Sequence, residues 1–169
     1  MKYLKTTALL LFILAFNSCE KDDICAETTP TTPKLIIEFY DSANPENTKN
    51  VTNLKVTGFN DANEGVDLPS VNITTTNTIN LPLRTDKDQT KFTFHKEYDS
   101  GNLSSGNPDI VTISYQREDV FVSRACGFKT IFKELILTVE TDGDNWILDY
   151  EIINSTVENE ITAHVKIFH

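Results

Sequence analysis

Few side chains in this sequence have both the chemistry and the spacing that a catalytic site needs. The three histidines are His95, His164 and His169, and no Ser/His/Asp order suitable for acyl transfer can be built around them. Cys126 could act as a nucleophile only with a base beside it, and the sequence places no histidine there. We therefore predict that the protein is not an enzyme and has no catalytic residues.

Some of these polar residues could instead be metal ligands. His95 and His164 could form a hydrolytic metal site with a carboxylate, but His164 alternates with apolar neighbours and is expected on a water-facing strand side. Residues 61–67 carry oxygen ligands at alternate positions, although the glycine falls one place early for an EF-hand loop and no Glu stands at its twelfth position. A polar turn is the favoured interpretation of this loop. We predict no metal site and no cofactor, and keep a metal-dependent hydrolase as the alternative function.

Cys19 has a different chemistry, because it follows a segment typical of an export signal. Two lysines make a positive start, residues 8–16 are an unbroken apolar run, and the small Ser18 precedes Cys19. At about 1.5 Å per residue the run is too short to span a bilayer core of roughly 30 Å. The arrangement resembles a bacterial lipobox, in which the cysteine takes a diacylglycerol. We predict a lipoprotein signal peptide over residues 1–18, lipidation at Cys19, and ordinary secretion as the alternative.

The residues after Cys19 bear on location. Lys21, Asp22 and Asp23 resemble the signal that some Gram-negative bacteria use to export lipoproteins to the outer face of the outer membrane. The resemblance implies a surface-exposed, lipid-anchored protein of the outer membrane, and a solvated tether is the alternative. The stretch that follows is rich in Thr and Pro, which predicts an extended spacer. Residues 19–33 are therefore predicted to be a lipidated Cys and a flexible tether.

Two cysteines remain if Cys19 carries lipid. An even number of cysteines in an oxidising compartment predicts a disulfide between Cys25 and Cys126, which would pin the tether to the domain. Two free thiols and a reactive Cys126 are the alternatives. In the stretch around Cys126, Gly127 is expected to need a positive φ, and Arg124 could contact an anion.

Length and charge limit the class of protein. The chain has 169 residues, which suits one domain, and 25 acidic residues against 15 basic ones give a net charge of −10. Loss of a signal peptide that contains lysines and no acidic residues would make the protein still more acidic. Such a charge does not attract nucleic acid or anionic lipid head groups, so we predict no nucleic-acid partner.

Alternation of apolar and polar residues recurs in nearly every segment after the tether. Leu35, Ile37 and Phe39 alternate with their neighbours, and residues 91–97 show the same period of two, which is typical of half-buried antiparallel strands. About nine such strands predict an all-β fold, an antiparallel two-sheet β-sandwich of immunoglobulin-like type over residues 34–169. A closed barrel is the second choice.

Several element boundaries follow from the same pattern. Residues 41–50 are expected to be a turn. Residues 109–116 and 118–124 are expected to form either a tight hairpin or one bent strand. Residues 158–168 are expected to be the last strand.

Side-chain directions can be assigned in two places. Ile131, Leu135, Leu137 and Val139 are expected on one side of a strand, because they recur at even spacings. Trp146 follows a turn and is expected to pack over the edge of the core rather than to stack on a sugar.

Five segments together resemble a known family. They are residues 19–25 (Cys-Glu-Lys-Asp-Asp-Ile-Cys), residues 39–41, residues 123–128 (Ser-Arg-Ala-Cys-Gly-Phe), residues 144–147 (Asp-Asn-Trp-Ile) and the closing residues 157–169. The chain resembles the uncharacterised bacterial lipoprotein family called domain of unknown function 6452. The resemblance implies a small bacterial lipoprotein and brings no activity and no catalytic residues.

These observations favour a membrane-anchored bacterial lipoprotein, a non-enzymatic binding or accessory module of the cell envelope. Its expected partners are the membrane, through the lipid on Cys19, and another envelope protein or a glycan. A protein partner would need an exposed apolar patch of several hundred Å², and a glycan would need aromatics such as Tyr98, Tyr115 or Trp146 exposed together. A structural spacer without a specific ligand is a further alternative.

Overall fold

The computed structural model describes residues 24–29, 31–68, 71–102 and 104–169. Within these ranges the chain forms eleven β-strands and no helix. The strands are β1 Leu35–Asp41, β2 Asn44–Thr48, β3 Val51–Phe59, β4 Gly65–Asp67, β5 Thr74–Thr76, β6 Thr78–Leu81, β7 Gln89–Lys96, β8 Asn107–Ser123, β9 Gly127–Val139, β10 Asp149–Ile152 and β11 Val165–Phe168. The all-β class predicted from the alternation is confirmed.

The first sheet is built around β1. One edge of β1 pairs in parallel with β11, and its other edge is shared by the antiparallel strands β6 and β2. β10 completes this five-stranded sheet by pairing with β11. The parallel pair places strands from opposite ends of the domain side by side.

The second sheet is antiparallel throughout. It has six strands in the order β4, β3, β7, β8 and β9, with β5 also paired to β3. β8 has 17 residues, but β7 pairs only with its first part, from Asn107 to Ser114. The rest of β8 pairs with β9 alone and forms the long hairpin, which extends past the strands beside it.

One apolar core lies between the two sheets. Its largest fully buried side chains include Phe39 from the first sheet and Phe92, Phe94 and Phe132 from the second. The ring of Phe94 meets those of Phe39 and Phe92 edge to face, with centroids 6.5 and 6.2 Å apart, an arrangement that aromatic quadrupoles favour. The predicted two-sheet sandwich is therefore confirmed, while the immunoglobulin-like type stays a prediction.

A β-bulge in β9 changes which residues of that strand face the core. Glu134 has a φ of 54°, and the pairing with β8 shifts beside it to admit one extra residue of β9. Because one extra residue inverts the alternation, Phe132 faces the core before the bulge, and Leu135 and Leu137 face it afterwards. The expectation that Ile131 shares a side with Leu135 and Leu137 is therefore wrong.

Three element boundaries are also settled. Residues 41–50 contain β2, whose five residues are all exposed, so no apolar alternation could reveal it. Residues 109–116 and 118–124 belong to the single strand β8, which confirms the one-strand alternative. The last strand comprises only Val165–Phe168.

The outer edge of β9 is covered by the segment before β11. The N–H of Phe132 donates to the carbonyl of Val157 at 3.1 Å, and Val157 donates back at 2.7 Å. The N–H of Leu135 donates to the carbonyl of Ser155 at 3.1 Å. These bonds satisfy backbone groups at an edge that could otherwise pair with another chain.

Candidate binding groove and disulfide-linked hairpin

A groove opens at the end of the sandwich where β3 stops and β7 begins. It consists of two adjoining depressions of about 260 and 400 Å³ that share Phe59, Asn60, Asp61 and Arg84. The polar part is also lined by Asn63, Lys87, Gln89 and Lys91. The apolar part is also lined by Gly58, Val66, Leu68, Pro82, Leu83, Thr90 and Phe92. We call the combined feature the Phe59 groove.

A tight turn between β3 and β4 shapes one wall of the Phe59 groove. The N–H of Asn60 donates to the carbonyl of Glu64 at 3.0 Å, and the side-chain oxygen of Asn60 accepts from the N–H of Glu64 at 2.9 Å. Asn63 takes a φ of 59° in this turn, a conformation that Asn tolerates better than most residues. The loop that could have resembled a calcium site is thus a closed polar turn.

Arg84 is held at the opposite wall by buried hydroxyl groups. Its backbone N–H donates to Thr90 Oγ1 at 2.8 Å, and its carbonyl accepts from the Tyr115 hydroxyl at 2.8 Å. The two hydroxyl groups are 2.6 Å apart, and burial raises the pKa of Tyr115. The guanidinium therefore projects from a rigid backbone position.

Two carboxylates surround the Arg84 guanidinium. Nη1 lies 2.8 Å from Asp61, while Nε and Nη2 lie 2.9 and 2.5 Å from Asp86. The hydrogen bond from Arg84 lowers the pKa of Asp86 to about 2. Lys87 approaches Asp61 at 3.8 Å. A carboxylate on a ligand could exchange with Asp61 here, since the Asp61 side chain is exposed and ion pairs at the surface are weakly held.

The predicted disulfide between Cys25 and Cys126 is present, with Cα atoms 4.9 Å apart and a sequence separation of 101 residues. Cys126 lies in the turn of the long hairpin. Gly127 beside it has a φ of 71°, which confirms the expectation of a positive φ at this position. The bond joins the chain before β1 to the tip of the hairpin. It removes Cys126 from the candidate nucleophiles.

The described part of the predicted tether also contacts the hairpin away from the disulfide. The hydroxyl oxygen of Thr32 accepts from the N–H of Thr130 in β9 at 3.0 Å. The N–H of Lys34 donates to the side chain of Glu160 at 3.0 Å. The chain before β1 therefore contacts the hairpin at the disulfide and at Thr130, and Lys34 contacts the segment before β11.

The predicted lipidation and export residues lie elsewhere in the chain. Cys19, Lys21, Asp22 and Asp23 are outside the described residues. Arg124, the possible anion contact, is exposed in the turn of the long hairpin, away from the Phe59 groove.

The structure corrects the placement of His164. The side chain is 1% exposed, and its Nδ1 accepts from the N–H of Ile36 at 3.0 Å, although alternation predicted a water-facing position. His164 precedes β11, so the alternation of side chains along that strand does not determine which way the His164 side chain points. Burial lowers the pKa of His164, opposed by contacts with the Asn159 backbone and Glu160.

The other two histidines also have structural partners. The ring of His95 lies in β7 with Nε2 2.7 Å from the carbonyl of Ser105. His169 is buried against Phe39 and Trp146, and burial lowers its pKa. Among the described residues, no three His, Cys, Asp or Glu side chains come together as a metal site would require.

The aromatic residues proposed for a glycan do not form a platform. Tyr115 and Trp146 are buried, so these residues do not meet the condition for a glycan partner, that two or three aromatics are exposed together. Trp146 instead packs at the core, with Nε1 donating to the carbonyl of Phe94 at 3.0 Å, as its core-edge assignment predicted. Phe59 could not be identified as a site residue from the sequence, because the groove draws its lining from segments far apart in the chain.

Asp109 is a fully buried carboxylate in β8 that was not predicted from the sequence. Its carboxylate accepts from the N–H groups of Ile147 at 2.8 Å and Trp146 at 3.4 Å. Burial raises the pKa of Asp109, and these two hydrogen bonds oppose that effect. The signal was present, since Asp109 alternates with Val111 on the apolar side of β8.

Together these features define the class of the protein: an all-β sandwich with an end groove and a long hairpin tied by a disulfide to the preceding chain. The sequence matches the model of a family of unknown function, DUF6452, over residues 53–169, and the chain belongs to that family. No curated protein and no solved structure matches it. In the part of the chain that the structure describes, no helix is long and apolar enough to cross a membrane.

Proposed function

We propose that this protein is a lipid-anchored, non-enzymatic binding module of the bacterial cell envelope, attached through Cys19 and binding its partner in the Phe59 groove. The groove is the observation that carries the binding role. Apolar side chains line one part of it, and charged or amide side chains line the other. A mixed lining of this kind can bury an apolar group while fixing its orientation by polar contacts.

The partner that suits the groove best is a segment of another envelope protein. An apolar side chain would fill the part lined by Val66, Leu68 and Pro82, and an adjacent carboxylate would contact Arg84 or Lys87. Both cations are already paired with carboxylates, so the carboxylate of the partner would bind by replacing Asp61 in these pairs.

A glycan is the second candidate, favoured by the amide groups of the polar part. Asn63 and Gln89 line the polar part together with Phe59, a combination that can hydrogen-bond hydroxyl groups beside an aromatic surface, whereas the amide of Asn60 is already bonded to Glu64. Lys91 already lies over that ring, with Nζ 5.2 Å from its centroid. A sugar would therefore have to displace Lys91 or use the other ring face.

Crosslinking in intact cells tests the groove. Val66→Glu places a charge in the apolar part, and Ile73→Glu is the matched control, because Ile73 is similarly exposed but does not line the groove. We expect a discrete crosslinked adduct with the wild type and Ile73→Glu, and its loss with Val66→Glu. Equal adducts from all three proteins would place the contact elsewhere. A spacer without a ligand would give no adduct at all.

Intact mass of the protein purified from membranes tests the anchor. We expect residues 1–18 to be absent, acyl mass on Cys19, and a gain of two hydrogens on reduction of the Cys25–Cys126 bond. A Cys19→Ala variant should retain neither the acyl mass nor the membrane association. An unacylated wild-type protein recovered outside the membrane fraction would refute the anchor.

A further inference from the structure

Two phenylalanines lie exposed near the tip of the long hairpin. Phe121 in β8 and Phe128 in β9 are directly opposite each other, and their rings meet edge to face with centroids 5.5 Å apart. The side chains are 58% and 67% exposed. By register they continue the side of the hairpin on which Tyr115 and Phe132 enter the core, but they lie beyond the core itself.

The disulfide brings the beginning of the described chain to these rings. Cys25 is bonded to Cys126, which is only two residues from Phe128. Ile24 precedes Cys25 and is 83% exposed. Three exposed apolar side chains thus lie in or next to the disulfide-linked end of the long hairpin, which we call the hairpin tip: Ile24, Phe121 and Phe128.

The length of chain before Cys25 limits how far the hairpin tip can be from a lipid on Cys19. The two cysteines are six residues apart in the sequence. A fully extended chain covers at most about 3.6 Å per residue, so the separation is no more than roughly 22 Å. The disulfide fixes the end of this short segment to the hairpin, so the tip is held within reach of the bilayer that carries the lipid.

We propose that the hairpin tip inserts into the surface of the bilayer that holds the lipid on Cys19, an inference that rests on the proposed anchor. Aromatic rings are favoured at the boundary between head groups and acyl chains. Side chains that are already exposed can leave water there without losing contacts inside the protein. The protein is acidic overall, so apolar insertion is the main interaction that holds the tip in place, and Arg124 is the exposed cation in the same turn. The lipid and the two phenylalanines together orient the sandwich.

Fluorescence quenching by lipid tests this arrangement. The full chain, purified from membranes with its lipid, is reconstituted into phosphatidylcholine vesicles whose acyl chains either carry or lack bromine. Phe128→Trp adds a reporter at the tip, and Ile136→Trp is the control at a similarly exposed site, 61% exposed, on the body of β9. The control lies eight residues along the strand, or roughly 26 Å away, beyond the reach of the acyl chains. The wild type reports the background from Trp146, the one native tryptophan.

We expect bromine to quench the added emission of Phe128→Trp at least about twofold, because an inserted ring lies within roughly 5–10 Å of the acyl boundary. Emission of Ile136→Trp and of the wild type should be unchanged. Vesicle flotation without quenching of Phe128→Trp would overturn the tip contact and leave the anchor standing. Quenching of both variants would mean that the sandwich lies flat on the membrane, which also overturns the proposal. Failure of the wild type to float would refute the anchor, and the tip contact with it.

Discussion

Single buried polar residues hold separate parts of this sandwich together. The carboxylate of Asp109 in β8 accepts hydrogen bonds from two backbone N–H groups, those of Trp146 and Ile147, at the approach to β10. It thereby links the second sheet to a segment that leads into the first. Such a carboxylate has a structural role, because its hydrogen-bonding capacity is used within the fold.

Replacement of Asp109 should therefore destabilise the protein without any change at the groove. In Asp109→Ala, two buried N–H groups lose their acceptor, and each such group costs about 1–3 kcal/mol. Asp109→Asn keeps one acceptor oxygen and should cost less. Urea unfolding followed by Trp146 fluorescence measures both variants against the wild type. Wild-type stability for Asp109→Ala would show that water replaces the carboxylate.

The buried histidines make stability depend on pH. Burial lowers the pKa of both His164 and His169 in the folded state below the ordinary value of 6.5. Below pH 6.5 the unfolded chain takes up protons that the folded protein does not, so the free energy of unfolding should fall as the pH drops. Each proton contributes at most about 1.4 kcal/mol per pH unit. Urea unfolding between about pH 7.5 and 5, from roughly one unit above that ordinary value to roughly one and a half units below it, measures this slope.

His164→Asn separates the contribution of His164 from that of His169. The amide oxygen of Asn can take the place of Nδ1 and accept from the N–H of Ile36, but the side chain does not titrate. We expect a shallower decline of stability below pH 6.5 than in the wild type. An identical slope in the two proteins would exclude His164 as a source of the pH dependence.

At the scale of the elements, the bulge in β9 allows the parts of this strand before and after Glu134 both to direct apolar side chains into the core. Glu134 is the residue in the left-handed region, and the bulge allows Phe132 and Leu135 to face the same core. The long hairpin depends on this bulge. Without the extra residue, the part of β9 on one side of Glu134 would turn its polar side chains towards the core. The backbone at Glu134 is therefore more important than its side chain.

Deletion of Glu134 and its replacement by glycine should have opposite effects. Deletion removes the extra residue, so Leu135 and Leu137 would turn to solvent, and we expect no cooperative unfolding transition. Glu134→Gly keeps the residue count and relieves a left-handed conformation that costs a non-glycine residue about 1–2 kcal/mol. That variant should be at least as stable as the wild type by thermal unfolding. A folded deletion variant would show that β9 can shift its register.

At the scale of the whole molecule, the acidic sandwich is expected to reside on the cell surface. Lys21, Asp22 and Asp23 would act as an address that the export machinery reads, separate from the anchor itself. A membrane-impermeant amine reagent should label exposed lysines of the wild type in intact cells. A variant with alanine at all three positions should be labelled only after the outer membrane is permeabilised.

The matched control for this experiment is Glu27→Ala, which removes an acidic charge from the same region without altering the three signal residues. It should be labelled like the wild type. Equal labelling of the triple variant and the wild type in intact cells would remove the assigned role of these residues. Absence of labelling in the wild type would place the protein on the inner side of the membrane.

The alternation of apolar and polar residues predicted many of the strands correctly and failed at a few positions that can be named. The period of two in residues 35–41 corresponds to β1, since alternation depends only on which side of a strand is buried. It failed for β2, whose residues are all exposed, and at Glu134, where an inserted residue inverts the period. It also failed for His164, because this residue precedes β11 and the alternation of β11 does not apply to it.

The amino-acid sequence by itself determined the all-β class, the pairing of Cys25 with Cys126, and the need for Gly127 in the hairpin turn. These features depend on local alternation, on an even number of cysteines and on backbone sterics, all of which can be assessed residue by residue. Only the tertiary structure decided that β1 pairs in parallel with β11, that Phe59 and Arg84 line one groove, and that the two exposed phenylalanines meet near the disulfide. The physical reason is that alternation specifies a strand's buried side but not its neighbours, which depend on how the whole chain buries its apolar surface.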